Sequence, residues 1–284
     1  MCVIYRYKQM RKKFVLLIIL GCYCCLTMLA QPDRKNIEPL LQTAWGQGSP
    51  YNLLCPVKNG KHCQTGCVAT AMAQIMHYHQ WPAEGYDWDN MQLTYKGGET
   101  EEQQLAVAKL IHDCGVAVNM DYGIYSSAAW EGDAAVALVR DFGYAESVQE
   151  IFAVFYDSRE EWENTIYNEL AAGRPVFYGG MPAGYLHQFV CDGYKDGKFH
   201  FNMSWPYKAD GWYTLDEISI FPDSHSAIIG VQKADETGII ALTPAFFEEN
   251  KGVCYDLNGM RRNTPHQGLN IVQTSSGVVK ASFK

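Results

Sequence analysis

Several things are scarce in this 284-residue chain, and each scarcity narrows what it can be. Basic residues are few: Lys and Arg number 23 against 31 Asp and Glu. Five of the 23 lie in the first thirteen positions, MCVIYRYKQMRKK, which hold no acid. Setting the first thirty residues aside leaves 18 basic against 31 acidic side chains, a net charge of about −13. Such a surface with no basic stripe argues against nucleic acid or an anionic membrane as partner. Internal repeats and low-complexity tracts are missing. So is any CxxC pair beyond position 30, and with it the usual spacing of a thiolate metal site; no metal or organic cofactor is expected. Long apolar runs are confined to FVLLIILGCYCCLTMLA, residues 14–30.

That run, behind its basic lead, has the make-up of a secretory signal peptide, here assigned to residues 1–30 with cleavage after Ala30. A membrane anchor and a lipoprotein signal are the competing readings. The run is barely long enough to span a bilayer and is interrupted by Gly21 and Thr27, and ILGC ending at Cys22 resembles a bacterial lipobox. A secreted or cell-envelope protein follows, with no integral span once the leader is removed. Cys55, Cys63, Cys67, Cys114, Cys191 and Cys254 remain. Six thiols could make three disulfides in an oxidising compartment. Spread over two hundred residues of core-rich sequence, they are not needed as staples. Cys55 and Cys63 are candidates to pair across the KNGK turn, and Cys114, Cys191 and Cys254 read as small buried hydrophobes.

The whole chain is 48% hydrophobic and 13% aromatic, ample for a core. NIEPLLQTAW (36–45) has helical spacing of Ile37, Leu40, Leu41 and Trp45, and GQGSPYN then breaks the pattern. From Cys67 the apolar residues Val68, Ala71, Met72, Ile75 and Met76 recur every three or four positions until Pro82, so a buried helix starts at the thiol. EEQQLAVAKLIHDCGVAV, AAWEGDAAVALVRDFGY and SREEWENTIYNELAAG read as further helices. After Pro175 the texture changes to PVFYGGM, HQFVCDGYKDGKFHFNMSW and DGWYTLDEI, short strands of an antiparallel sheet. Helices first and strands after make an α+β fold in two lobes, a helical lobe carrying Cys67 and a sheet lobe carrying His187. The expected domains are residues 31–233 and a strand-rich tail, 234–284, in which GLNIVQT and VVKASFK flank SSG as a hairpin.

A thiol at a helix N-terminus feels unpaired amides, which favour the nucleophilic thiolate. A buried structural thiol is the bland alternative for Cys67. His187 opens HQFVCDGY, where alternating Phe189 and Cys191 and a turn at Asp192 and Gly193 mark a strand start facing the cleft between lobes. Asn202, fifteen residues on, could fix the imidazole through its amide, with the Trp205 indole shielding the contact; equally, Asn202 could simply end a strand. His77 and His79 invite a metal reading, but side chains at i and i+2 on a helix face different ways, so both are assigned to the surface. Trp81, Tyr86 and Trp88 either line a cleft or cover the helix end, and the second reading is preferred.

GCVATAMAQIM followed by YHQWP, with QGSPYNLLCP before it and HQFVCDGY, FHFN and DGWYTLDEI after it, resembles the streptopain family of secreted bacterial papain-like cysteine peptidases. The resemblance runs from about Leu40 to Ile218. It implies a papain-like fold with Cys67 as nucleophile, His187 as general base and Gln47 as side-chain donor of an oxyanion hole. The chain departs from the family's glycine-rich NWGWGG, which here reads Asn202, Met203, Ser204, Trp205, Pro206 and Tyr207, and from Gly-His-Ala, which reads Leu186, His187 and Gln188. The expected function is an exported cysteine endopeptidase acting on protein or peptide substrates through a thioester. The alternative is a papain-fold protein, impaired in turnover, that binds peptides or a partner.

Overall fold

The computed structural model describes residues 34–181, 186–205, 209–218 and 224–234, with strands at 239–241, 253–255, 261–262, 268–274 and 277–283. The expected leader, Pro206 and Tyr207 lie outside the described residues. The segment 36–45 is the first departure from the sequence pattern, because it is extended rather than helical. Ile37 exchanges backbone hydrogen bonds with Tyr194, and Leu40 N–H donates to Asp192 O at 2.8 Å. Pro39 cannot donate an intrahelical bond, and the apolar residues that suggested a helix find burial against a distant strand instead.

A small hairpin follows, β1 (Val57–Lys58) with β2 (Lys61–His62), turning at Asn59 and Gly60. Cys55 and Cys63 flank it, both buried and both free thiols, so the expected bridge is not formed. Then comes α1 (Cys67–His79), which starts at the thiol as its pattern predicts; Val68 to Met76 are all buried. Each large apolar side chain here, such as Met72, Ile75 and Met76, contributes about 1.5–3 kcal/mol by leaving water. His77 and His79 are half-buried, not surface residues. The His77 ring meets Trp45 edge-on at 5.0 Å and faces Trp88 at 6.3 Å, and His79 Nδ1 lies 3.1 Å from the Tyr144 hydroxyl. Trp81, Tyr86 and Trp88 pack on the same core, as the covering reading had it.

The three other expected helices are present. They are α2 (Glu101–Ala117), closed at its start by a Thr100–Gln103 capping box, α3 (Glu131–Arg140), and α4 (Arg159–Ala171), capped by Ser158. Between α3 and α4 runs β3 (Gln149–Phe152), and after α4 come β4 (Val176–Gly180), β5 (His187–Lys195), β6 (Lys198–Asn202), β7 (Gly211–Tyr213), a short α5 (Leu215–Ile218) and β8 (Ser226–Ile229). They form one antiparallel sheet in the order β3-β8-β4-β5-β6-β7.

Strand alternation sorts its side chains. Phe177, Val190 and Ile228 join α1, α2 and α3 in one core, while Val176, Tyr178, Phe189, Cys191 and Phe201 join α4 in a second. The expected turn at Asp192–Gly193 is instead a bulge inside β5, with the register shifting between Cys191 and Gly193. Asp192 is fully buried there, its carboxylate accepting Leu41 N–H at 3.0 Å and facing His200 Nδ1 at 2.6 Å. These bonds are what recruit the extended segment.

Beyond position 234 the backbone forms a second sheet. Its strands are β9 (Ile239–Ala241), β10 (Val253–Tyr255), β11 (Arg261–Arg262), β12 (Gly268–Thr274) and β13 (Gly277–Phe283), in the order β11-β10-β12-β13-β9. The hairpin expected around SSG pairs Gly268 with Phe283 through Thr274 with Gly277. No helix among the described residues is long and apolar enough to cross a membrane.

Candidate active site

The site is built where α1 begins. Gly66, its N-cap, holds φ 86° and ψ 144°, a conformation open to glycine and strained for any L side chain. A Cβ there would also lie 2.7 Å from the end of Met120 and 3.3 Å from Ser127 O. The glycine ahead of the thiol is therefore a geometric requirement. Its carbonyl accepts from Thr70 N–H at 3.1 Å and from the Thr70 hydroxyl at 2.9 Å, which fixes the first turn.

Cys67 is half-buried, and the backbone N–H groups of Gln188, Val68 and Cys67 itself favour its thiolate. Burial outweighs them and pushes the thiol above its ordinary value, and the Glu131 carboxylate pushes the same way. The helix-start argument is thus right in kind and too small in size. Gln188 directly follows His187, so the start of β5 reaches the start of α1. Gln47, half-buried, has its carbonyl on Thr65 N–H at 3.0 Å, which ties its loop two residues ahead of the thiol.

His187 is buried, and its Nε2 lies 2.8 Å from Met203 O. A carbonyl only accepts, so Nε2 carries the hydrogen. Burial lowers the imidazole's pKa, and the Met203 carbonyl partly opposes that. The Trp205 ring stacks on it at 4.4 Å and 17°, beside the His187–Met203 contact.

Asn202 does not face the imidazole. Its Nδ2 donates to Thr43 O at 2.6 Å and to Gln74 Oε1 at 3.1 Å, and its Oδ1 accepts from Gln74 Nε2 at 3.0 Å and Ser204 N–H at 3.1 Å. The backbone carbonyl of the next residue holds the histidine in its place. Asn202 bears on that carbonyl only through the chain, together with Asp210, whose Oδ1 accepts Met203 N–H at 2.7 Å.

Gln74 and Asp210 are the members of this hydrogen-bond network that sequence reasoning passes over. Gln74 is fully buried on α1; its Oε1 also accepts the Thr43 hydroxyl at 2.9 Å and Trp45 N–H at 3.2 Å, and its Nε2 donates to Ser204 Oγ at 3.2 Å. The signal was available: a lone amide within ATAMAQIM, on an otherwise apolar stretch, needs buried partners.

A thiol at the head of a buried helix, with a histidine opening a strand of the adjoining antiparallel sheet, is the papain-like architecture. The chain belongs to the Peptidase C10 family, whose profile matches residues 45–213. It is 34% identical to streptopain of Streptococcus pyogenes over 238 residues, covering 69% of this chain and 59% of that protein. It is 30% identical to the thiol protease/hemagglutinin PrtT of Porphyromonas gingivalis over 302 residues, covering 90% of this chain and 35% of that protein. The chain thus spans less than two thirds of streptopain's length and about a third of PrtT's. Among solved structures, the active wild-type interpain A cysteine protease of Prevotella intermedia superposes with a TM-score of 0.66 at 33% identity, over 72% of this chain and 99% of that one.

Proposed function

We propose that the chain is an exported cysteine endopeptidase. The observation that carries the reading is His187, buried at the start of β5 with Nε2 2.8 Å from Met203 O and the Trp205 ring stacked on it, on a strand whose next residue, Gln188, favours the Cys67 thiolate through its backbone N–H. With Nε2 committed to Met203 O, Nδ1 of His187 is the nitrogen with a lone pair.

Because burial favours the neutral forms of both groups, proton transfer accompanies attack rather than preceding it. The Cys67 proton passes to His187 Nδ1 as sulfur bonds to the scissile carbonyl carbon. The oxyanion takes hydrogen bonds from the Gln47 side-chain amide and the N–H of Cys67. The imidazolium protonates the departing amine, leaving a thioester; water then attacks with Nδ1 again taking the proton, and the C–S bond breaks as the imidazolium returns that proton to the Cys67 sulfur, releasing the carboxylic acid product. Trp205 keeps water from the His187–Met203 contact. Membership of the family, with relatives named as proteases, supports protein or peptide substrates.

The test is labelling with an epoxide cysteine probe, mapping of the labelled peptide and a casein digest, with Cys67→Ala alongside. Labelling at Cys67 together with casein hydrolysis, both lost in the variant, is expected. Hydrolysis that survives Cys67→Ala refutes the mechanism. Labelling without hydrolysis of any peptide points to the impaired, peptide-binding alternative.

A further inference from the structure

Beside the thiol is a group of polar side chains that the mechanism above does not use. Glu131 opens α3 and is 8% exposed, and its Oε2 accepts the Ser226 hydroxyl while its Oε1 has no donor. Gln188, also 8% exposed, has an Oε1 without a donor. Both converge on Gly179 of β4. A Cβ there would lie 2.7 Å from Gln188 Oε1 and 2.8 Å from Glu131 Oε2, and would collide with Ser226 Oγ. The cluster adjoins His187, since Gln188 directly follows it in β5 and pairs with Gly179 of β4; the Gln188 N–H and the Glu131 charge also act, in opposite directions, on the Cys67 thiol.

Two buried acceptor oxygens without donors are costly, by about 1–3 kcal/mol each. The electrostatics add to the imbalance. Glu150 of β3 approaches the same helix start, where a Cβ on Gly132 would lie 3.0 Å from its Oε2, and Asp133 follows on α3. Among the described residues no Lys, Arg or His pairs with Glu131 or Glu150 within ion-pair distance, and no cluster of His, Cys, Asp and Glu suits a metal ion. What the site lacks is a cation with several N–H donors, and its place next to the thiol makes a substrate side chain the natural source.

Resting on the peptidase reading, we propose that Glu131 and Gln188 form a substrate subsite beside Cys67 that takes a lysine or arginine side chain. The ammonium or guanidinium donates to Glu131 Oε1 and Gln188 Oε1, and Ser226 keeps the carboxylate's other oxygen in place. Lysine offers three donors and arginine five, enough for both acceptors. Burial, and secondarily the Glu150 charge, push the empty site's Glu131 up to about 7. The Ser226 hydroxyl and the Gln188 amide work against that shift, and a bound cation works against it too. Recognition of the basic side chain therefore strengthens as pH rises from 6 to 8.

The test is a fluorogenic positional-scanning peptide library cleaved by the full chain at pH 6 and pH 8. Lysine or arginine is compared with norleucine, which keeps the aliphatic stem and lacks the charge. At one position the basic residue is expected to win by about thirtyfold in kcat/KM at pH 8, the scale of a buried charge pair, and by less at pH 6. In Glu131→Gln that ratio should fall to within about threefold of unity and lose its pH dependence.

Gln188→Leu should weaken the ratio but keep its pH dependence, and it serves if Glu131→Gln fails to fold. Cleavage with no basic preference at any position, or a preference that survives both variants, overturns the subsite alone. No cleavage of any member, with Cys67 unlabelled in folded protein, overturns the peptidase reading and the subsite with it.

Discussion

Replacing Gly66 by alanine tests whether the backbone ahead of the thiol dictates the site. Two independent penalties are expected. At φ 86° and ψ 144° an alanine is strained by roughly 1–3 kcal/mol. Its Cβ would also meet the Met120 sulfur and methyl at 2.7 Å and Ser127 O at 3.3 Å. Met120 can swing away, but its buried neighbours must then shift, which costs about 1–3 kcal/mol. The sum, about 2–6 kcal/mol, is a large share of a typical domain's stability.

Urea unfolding followed by tryptophan fluorescence reads the loss, and the rate of iodoacetamide alkylation of Cys67 in the folded fraction reads the geometry. A second variant, Met120→Ala with Gly66→Ala, separates the penalties: removing the thioether should recover the clash and leave the strain. A loss below about 0.5 kcal/mol with unchanged alkylation is the size of an ordinary surface substitution. It would mean that the helix start does not depend on this glycine, and the reasoning would fail.

What the sequence could reveal follows from which forces are local. The helix beginning at Cys67, the strands after Pro175 and the hairpin from 268 to 283 were legible because period and turn residues act over a few positions. Residues 36–45 misled because the same apolar spacing is satisfied by a partner more than 150 positions away, at Asp192 and Tyr194. β3 has four residues and no clean alternation, and its strand state comes from pairing with β8.

In the candidate site, residue type points to the thiol, the histidine and the indole that stacks on it, but carries no sign of the carbonyl that accepts from the histidine. Met203 acts through a backbone carbonyl that every residue possesses, so residue identity carries no signal for it. For Asn202 residue type leaves two readings open, an amide that orients the imidazole or a strand end. Its hydrogen bonds instead go to Thr43, Gln74 and Ser204, contacts that exist only once α1 and β6 are packed. At Cys67 the helix end, a property of the local chain, favours the thiolate, while burial, a property of the fold, pushes the thiol up by more.

Gln74→Leu keeps the volume but strands the Thr43 hydroxyl and the Trp45 N–H and leaves the Asn202 amide with only Thr43 O and Ser204 N–H, so a stability loss of about 2–3 kcal/mol is expected in urea. The Met203 segment loosens with it, so kcat should fall more than KM rises; an unchanged kcat in folded protein would show that the network does not position His187. Glu131 gives a pH test of stability. Its folded pKa of about 7 lies above its ordinary 4.5, so the folded state holds the proton more tightly and its contribution is lost as pH rises through 7. Wild type should therefore lose stability relative to Glu131→Gln between pH 5 and pH 8, by up to about 3 kcal/mol, and parallel Tm curves across that window would contradict the assignment. The last prediction concerns Gln47, whose amide is assigned to the oxyanion and therefore acts in the transition state alone. Gln47→Ala should lower kcat by about 10²–10³ with little change in KM. Alkylation of Cys67 by iodoacetamide forms no tetrahedral oxyanion and needs only the thiolate, so it should proceed at the wild-type rate. Full kcat in the variant, or a loss of alkylation in step with hydrolysis, would return Gln47 to the role its backbone already fills, a loop residue whose carbonyl anchors Thr65.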